Sequence, residues 1–165
     1  MKIRSRIACL ALILNFAIAG SAFAHEPAVK IMPVYVQDIA PAAMPAIRVV
    51  DAFTGAIQAA KFDAAAKLLD PKVSIFESGN YERSRDEYMS HHAIADAAFL
   101  KNAELQQRYR QAQIVGKVAW VATQILLHTV QDGKDIVLLS TETMLLKKTT
   151  AGWKIVHIHW SSHPA

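Results

Sequence analysis

From about residue 105 to its end, the chain consists of long runs rich in β-branched and large apolar residues: 105–115, 118–130, 136–148 and 153–161. Gly116-Lys117, Asp132-Gly133 and Ala151-Gly152 punctuate them. Turn pairs of this kind between apolar runs are hairpin signals, so this part of the chain is predicted to pair with itself as an antiparallel meander. The first half has a different period. From Ala46 onward, Ile47, Val50, Phe53, Ile57 and Ala60 recur at three- and four-residue steps, which predicts a helix. A shorter helix is predicted over 63–69, closed by Asp70-Pro71. A strand over 73–77 then ends in the turn cluster Ser78-Gly79-Asn80. Ser84 and Glu87 are spaced as a capping box and open a helix to about Lys101. On that helix Tyr88, His92, Ala95 and Phe99 make one inward stripe, with Asp96 a turn beyond His92 and His91 rotated off it. Helices first and a meander after them define the α+β class.

The last run carries two histidines at i, i+2. Side chains two apart on a strand share a face. Trp153, Ile155, His157, His159 and Ser161 therefore fall on one side, and Lys154, Val156, Ile158 and Trp160 on the other. Both sides hold large apolar groups, so cover is expected on both. If the histidine side faces the core, the imidazoles build a site. If the Trp160 side does, the histidines belong to the outer face.

The N-terminus reads as an address. Lys2, Arg4 and Arg6 precede an apolar run from Ile7 to Ile18, and Ala22-Phe23-Ala24 is a small-x-small cleavage site. This is the pattern of a secretory signal peptide over residues 1–24, and it predicts a periplasmic or secreted protein. The run is shorter than the ~20 apolar residues needed to span a bilayer, so no membrane insertion is expected after cleavage. Cleavage would remove the only cysteine, Cys9, and keep all 7 histidines. Disulfide, thiolate and cysteine-nucleophile chemistry are thereby excluded from the mature chain. Most of the formal charge of +4 lies in the address. No basic stripe with interleaved aromatics remains, so no nucleic-acid partner is expected. Residues 25–45, with Pro27, Pro33, Pro41 and Pro45, read as an extended arm, and 46–165 as one domain.

Glu77, Tyr88 and His92 are the candidate acid–base residues, because proton transfer needs a titratable group with a hydrogen-bonding partner in a pocket. Glu77 ends an otherwise apolar strand: it is either a buried carboxylate or a rim group paired with Arg83 or Arg85. Glu142, with Met144 and Leu146 in phase, points inward or makes a salt bridge within the fold. Tyr88, His92, Glu142, Met144 and Trp160 are the candidate ligand-binding residues. Neutral imidazole suits copper or zinc, and His25, His92, His157 and His159 are the residues that would bind one. His25 would become the N-terminal residue on cleavage. The alternative for the strand histidines is hydrogen bonding to neighbouring strands, and no cofactor is otherwise expected.

The order of elements, with the terminal Trp153-Lys154-Ile155 and His157-x-His159-x-Ser161 strand, resembles the nuclear transport factor 2-like superfamily. Leu69-Asp70-Pro71 before Val73–Glu77 is similar to its helix-to-strand junction, and Ser140–Thr143 with Gly152-Trp153 to its last hairpin. SnoaL-like proteins and the association domain of calmodulin-dependent kinase are the nearest in pattern. The resemblance implies a curved antiparallel sheet wrapped around helices as a cone with one pocket, paired into homodimers through the sheet. It also places Trp160 in the pocket, the reading adopted here, with a structural role for at least one strand histidine. Arginines that line the kinase domain's pocket fall at Met144 and Trp160, so this cavity reads as apolar and aromatic. The leading expectation is an exported protein binding a small, largely apolar molecule, with catalysis open. The alternatives are a dimeric interaction module and a copper- or zinc-handling protein.

Overall fold

A computed structural model of the chain describes residues 36–165. The signal-peptide reading, residues 25–35 of the arm and His25 lie outside the described residues. Strand β1 (Val36–Ile39) leads through a short 3-10 turn into helix α1 (Met44–Gln58) and helix α2 (Phe62–Leu68). Strands β2 (Leu69–Glu77) and β3 (Asn80–Glu82) form a hairpin, followed by helices α3 (Arg85–Ser90) and α4 (His92–Leu100). The meander is β4 (Glu104–Val115), β5 (Val118–Gln131), β6 (Lys134–Thr149) and β7 (Gly152–Pro164). No described helix is long and apolar enough to cross a membrane.

All the strands join one large, curved, unclosed sheet in the order β1-β4-β5-β6-β7-β2-β3. The meander is antiparallel throughout, as expected from its turns. Asp132 and Gly133 both take positive φ, 51° and 74°, the conformation a two-residue hairpin turn needs. Two parallel pairs flank the meander, β1 with β4 and β2 with β7. The arm read as extended to residue 45 is thus part of the fold from Val36, because β1 supplies an edge strand and α1 starts at Met44.

Helix α1 lies on the concave side and buries Ile47, Val50, Phe53 and Ile57 against Val121, Met144, Leu146 and Ile158 of the sheet. Ala60 does not continue this stripe. The helix ends at Gln58, and Ala60 is exposed, at φ 52°. Pro71 sits inside β2 rather than closing a helix. It falls in the stretch between Leu69 and Ser74 where pairing with β7 shifts register, so its missing N–H breaks no ladder bond. The Asp70 carboxylate accepts from the Lys72 N–H there, at 2.9 Å.

Strand β7 resolves the question of parity in a way neither alternative anticipated. Its pairing with β6 shifts between Leu145, opposite His157, and Leu146, opposite Ile155, which leaves Val156 as a bulged residue. A bulge adds one residue and so reverses the alternation of faces. Trp153 and Ile155 are buried before it, and Ile158 is buried after it with Trp160 packed on the same core. Both apolar sets therefore face inward. His157 and His159 lie on the outer face: the first is half-buried, the second exposed.

Candidate functional site

A cavity of about 120 Å³ opens between the helices and the concave face of the sheet. Its floor is aromatic. Phe53 from α1, Tyr88 from α3 and Trp160 from β7 have ring centroids 6.2–6.4 Å apart, with Phe53 and Trp160 nearly parallel at 12°. Ile57, Phe99, Leu100, Ile125, Leu127 and Leu138 extend the apolar wall, and Ser161 and Ser162 stand at the exposed rim. An engineered apolar cavity of about 150 Å³ holds benzene, so this one suits a single ring.

Three carboxylates interrupt that wall: Glu77, Asp96 and Glu142. Glu77, at the end of β2, is half-buried, and its pKa is pushed from 4.5 up to about 7. Burial is the main cause, followed by repulsion from Asp96 and Glu82 and a smaller opposing pull from His92. Of the two alternative partners, Arg85 is paired with Asp86 at 2.9 Å, and neither Arg83 nor Arg85 lines the cavity. Tyr88 is fully buried, and its hydroxyl donates to Asp96 at 2.8 Å. Burial and the neighbouring Asp96 push the phenol further up from its ordinary range, and burial raises Asp96 despite that hydrogen bond. Across the cavity Trp160 Nε1 donates to Glu142 at 2.8 Å. Glu142 is only 6% exposed, and burial raises its pKa against the pull of that bond and of Arg110. Arg110, itself buried, is committed to Asp51 at 2.6 Å and Thr123 at 3.3 Å.

The stripe predicted over 85–101 is redrawn by a break in the helix. The capping residue is Ser84, whose hydroxyl accepts the Glu87 N–H at 3.1 Å, while the Glu87 carboxylate reaches back to Arg83 rather than to Ser84. At His91 the backbone leaves the helical region, with φ −149° and ψ −53°, and α4 restarts with amides bonded to the His91 carbonyl. The break shifts the phase. Ala93 and Ala97 are buried, Ala95 is exposed, and Asp96 and Phe99 turn to the cavity. His92 does not line the cavity. Its ring is half-exposed and its Nδ1 lies against the buried Glu82 carboxylate, and His91 is exposed as well.

Of the sequence candidates, Glu77, Tyr88, Glu142 and Trp160 come together around one space. Met144 does not join them, being wholly buried in the core one inward position along β6 from Glu142. The histidines do not converge. His157 Nδ1 is 2.9 Å from the Ser74 hydroxyl and its ring packs on Phe76, both across the sheet from His92. Among the described residues no group of three His, Asp or Glu is placed to hold a metal ion. Asp96 as the hydrogen-bond partner of Tyr88 was not legible, because the two lie eight residues apart and only the break at His91 brings them together.

Helices laid in the hollow of a bent, unclosed sheet, with an acid-bearing apolar cavity between the layers, define the nuclear transport factor 2-like fold. Within it the chain belongs to the SnoaL-like domain family, whose model matches residues 47–165. A Shewanella frigidimarina protein described as a candidate ketosteroid isomerase is 33% identical, with a TM-score of 0.71 over 78% of this chain and 100% of that one. A candidate dehydratase of the NTF2-like family from Streptomyces avermitilis is 18% identical, with a TM-score of 0.65 over 75% of this chain and 97% of that one. The S. rosetta CaMKII hub is 22% identical, with a TM-score of 0.62 over 75% and 97%. No curated protein matches in sequence.

Proposed function

We propose that the chain binds a small, largely apolar molecule in this cavity and that Glu77 moves a proton on it. The observation carrying this reading is the placement of Glu77: a carboxylate in an apolar wall, with no arginine beside it in the cavity lining and Arg85 paired with Asp86. A general base works best when its pKa lies near the operating pH, and about 7 meets that condition. Removal of a proton beside a carbonyl and its return to another carbon is a reaction such a base can serve, and the Shewanella relative is described as a candidate ketosteroid isomerase. The enclosed part of the cavity accommodates one ring of such a substrate.

Exchange of the α-protons of cyclohexanone in deuterated water, followed by NMR, tests the reading. Glu77→Gln should slow the protein-dependent exchange by about 100-fold or more, the usual share of a general base. Equal rates for the two proteins would refute it.

Two further readings accompany this one. The outer sheet face, with Phe76 and Tyr81 stacked at 4.5 Å yet 44% and 46% exposed, supports a homodimer formed through that face, and hub domains of the same fold self-assemble. Light scattering should give twice the chain mass, and Phe76→Glu should halve it. The N-terminal pattern supports export to the periplasm or beyond, and intact mass should show loss of residues 1–24.

A further inference from the structure

Glu142 is the most buried carboxyl of the cavity, and only one of its oxygens is hydrogen-bonded. Its Oε2 accepts the Trp160 N–H at 2.8 Å, and Oε1 has no hydrogen-bond donor among the described residues. The residue is 6% exposed, and its carboxyl borders the cavity. The one buried cation nearby, Arg110 on β4, spends its hydrogen bonds on Asp51 of α1 and Thr123 of β5. A buried carboxyl with one free oxygen facing an aromatic-walled space calls for a donor from the ligand.

The charges around the space decide which donor. Glu77, Asp96 and Glu142 line it, and among the described residues no Lys, Arg or His does. Glu82 and Asp51 stand behind these acids, opposed by His92 and Arg110. Electron-rich faces of Phe53 and Trp160 border the same volume, and such faces attract organic cations.

Resting on the reading of this cavity as a ligand site, we infer that the ligand is a one-ring molecule bearing an ammonium group, and that Glu142 is the anchor of that group. Glu77 stays free for the proton step. Burial pushes the Glu142 carboxyl toward its protonated form and a cation seated against it favours the ionised one, so binding is expected to release protons to solvent. A neutral hydroxyl ligand would accept from or donate to the protonated carboxyl with no such release.

Isothermal titration of the full chain with benzylamine, and with benzyl alcohol as its neutral counterpart, separates the two. Titrations in two buffers of different ionisation enthalpy count the protons released. Benzylamine should bind about tenfold more tightly than benzyl alcohol and release up to about one proton, the scale of one desolvated charge pair. Glu142→Gln keeps the acceptor for Trp160 and should lower benzylamine affinity about tenfold, leaving benzyl alcohol within about twofold. Equal affinities with no proton release would overturn the ammonium anchor and leave the pocket reading standing. If neither probe binds the unaltered protein, both readings fall. Should the variant not fold, proton release by the unaltered protein decides the matter.

Discussion

At Ala60 the chain takes a left-handed conformation, φ 52°, directly after α1. A Cβ in that region costs roughly 1–2 kcal/mol, part of which glycine returns through its freer unfolded chain. Ala60→Gly should therefore raise stability by about 0.5–1 kcal/mol in urea unfolding, and a loss would show that Ala60 makes a packing contribution not evident from its exposure. Tyr88 presents the opposite case, a buried hydroxyl with one partner. Tyr88→Phe removes the donor to Asp96 and should cost about 1–2 kcal/mol. It should also drive the Asp96 carboxyl still higher, since that hydrogen bond favours its ionised form. A carbon-13 titration of the Asp96 carboxyl in the two proteins reads the second effect directly.

At the scale of elements, α3 is short and held by its N-terminal end. Helix α3 spans only Arg85–Ser90, and its start rests on the Ser84 hydroxyl and the Glu87 return bond. Ser84→Ala should lower stability by about 1 kcal/mol, measured by chemical denaturation. Because α3 carries Tyr88 into the cavity, the same change should weaken ligand binding more than an exposed substitution such as Lys117→Ala. The α1–β4 connection relies on charge. Asp51→Ala would strand the buried Arg110 with Thr123 as its remaining hydrogen-bond partner, and a loss of about 1–3 kcal/mol is expected because Asp51 is itself half-exposed.

For the whole molecule the carboxylates set the pH response. Glu77, Asp96 and Glu142 all have raised pKa values, so the fold holds each of them toward its protonated form. Such groups contribute their full stability below their unfolded pKa and lose it as pH rises through the folded value. For Glu77 that window runs from about 4.5 to about 7. The melting temperature should fall across it, and Glu77→Gln should flatten the fall and melt higher than the parent above about pH 7. A variant whose profile merely parallels the parent's would show that Glu77 does not titrate in this range. Catalysis has the opposite slope, since the base must be ionised: the exchange rate should rise through the same window.

Elements whose signals are local could be read from the chain alone. The meander followed from turn pairs such as Asp132-Gly133, α1 from its apolar period, and the start of α3 from Ser84 and Glu87. Alternation likewise put Glu142 in phase with Met144 and Leu146, leaving an inward carboxyl as one of its two readings. What failed was phase carried across a break. Period arguments assume unbroken geometry, and one bulge at Val156 or one non-helical residue at His91 turns every later side chain to a new direction. No residue type at either point announces the break, because it relieves packing against distant elements: Ile155 and Ile158 both need the core, and Tyr88 and Asp96 need each other. The tertiary structure therefore decided that the histidines of β7 face outward and that Asp96 replaces His92 at the cavity. It also decided that Glu77 faces the cavity away from the arginines beside it in sequence.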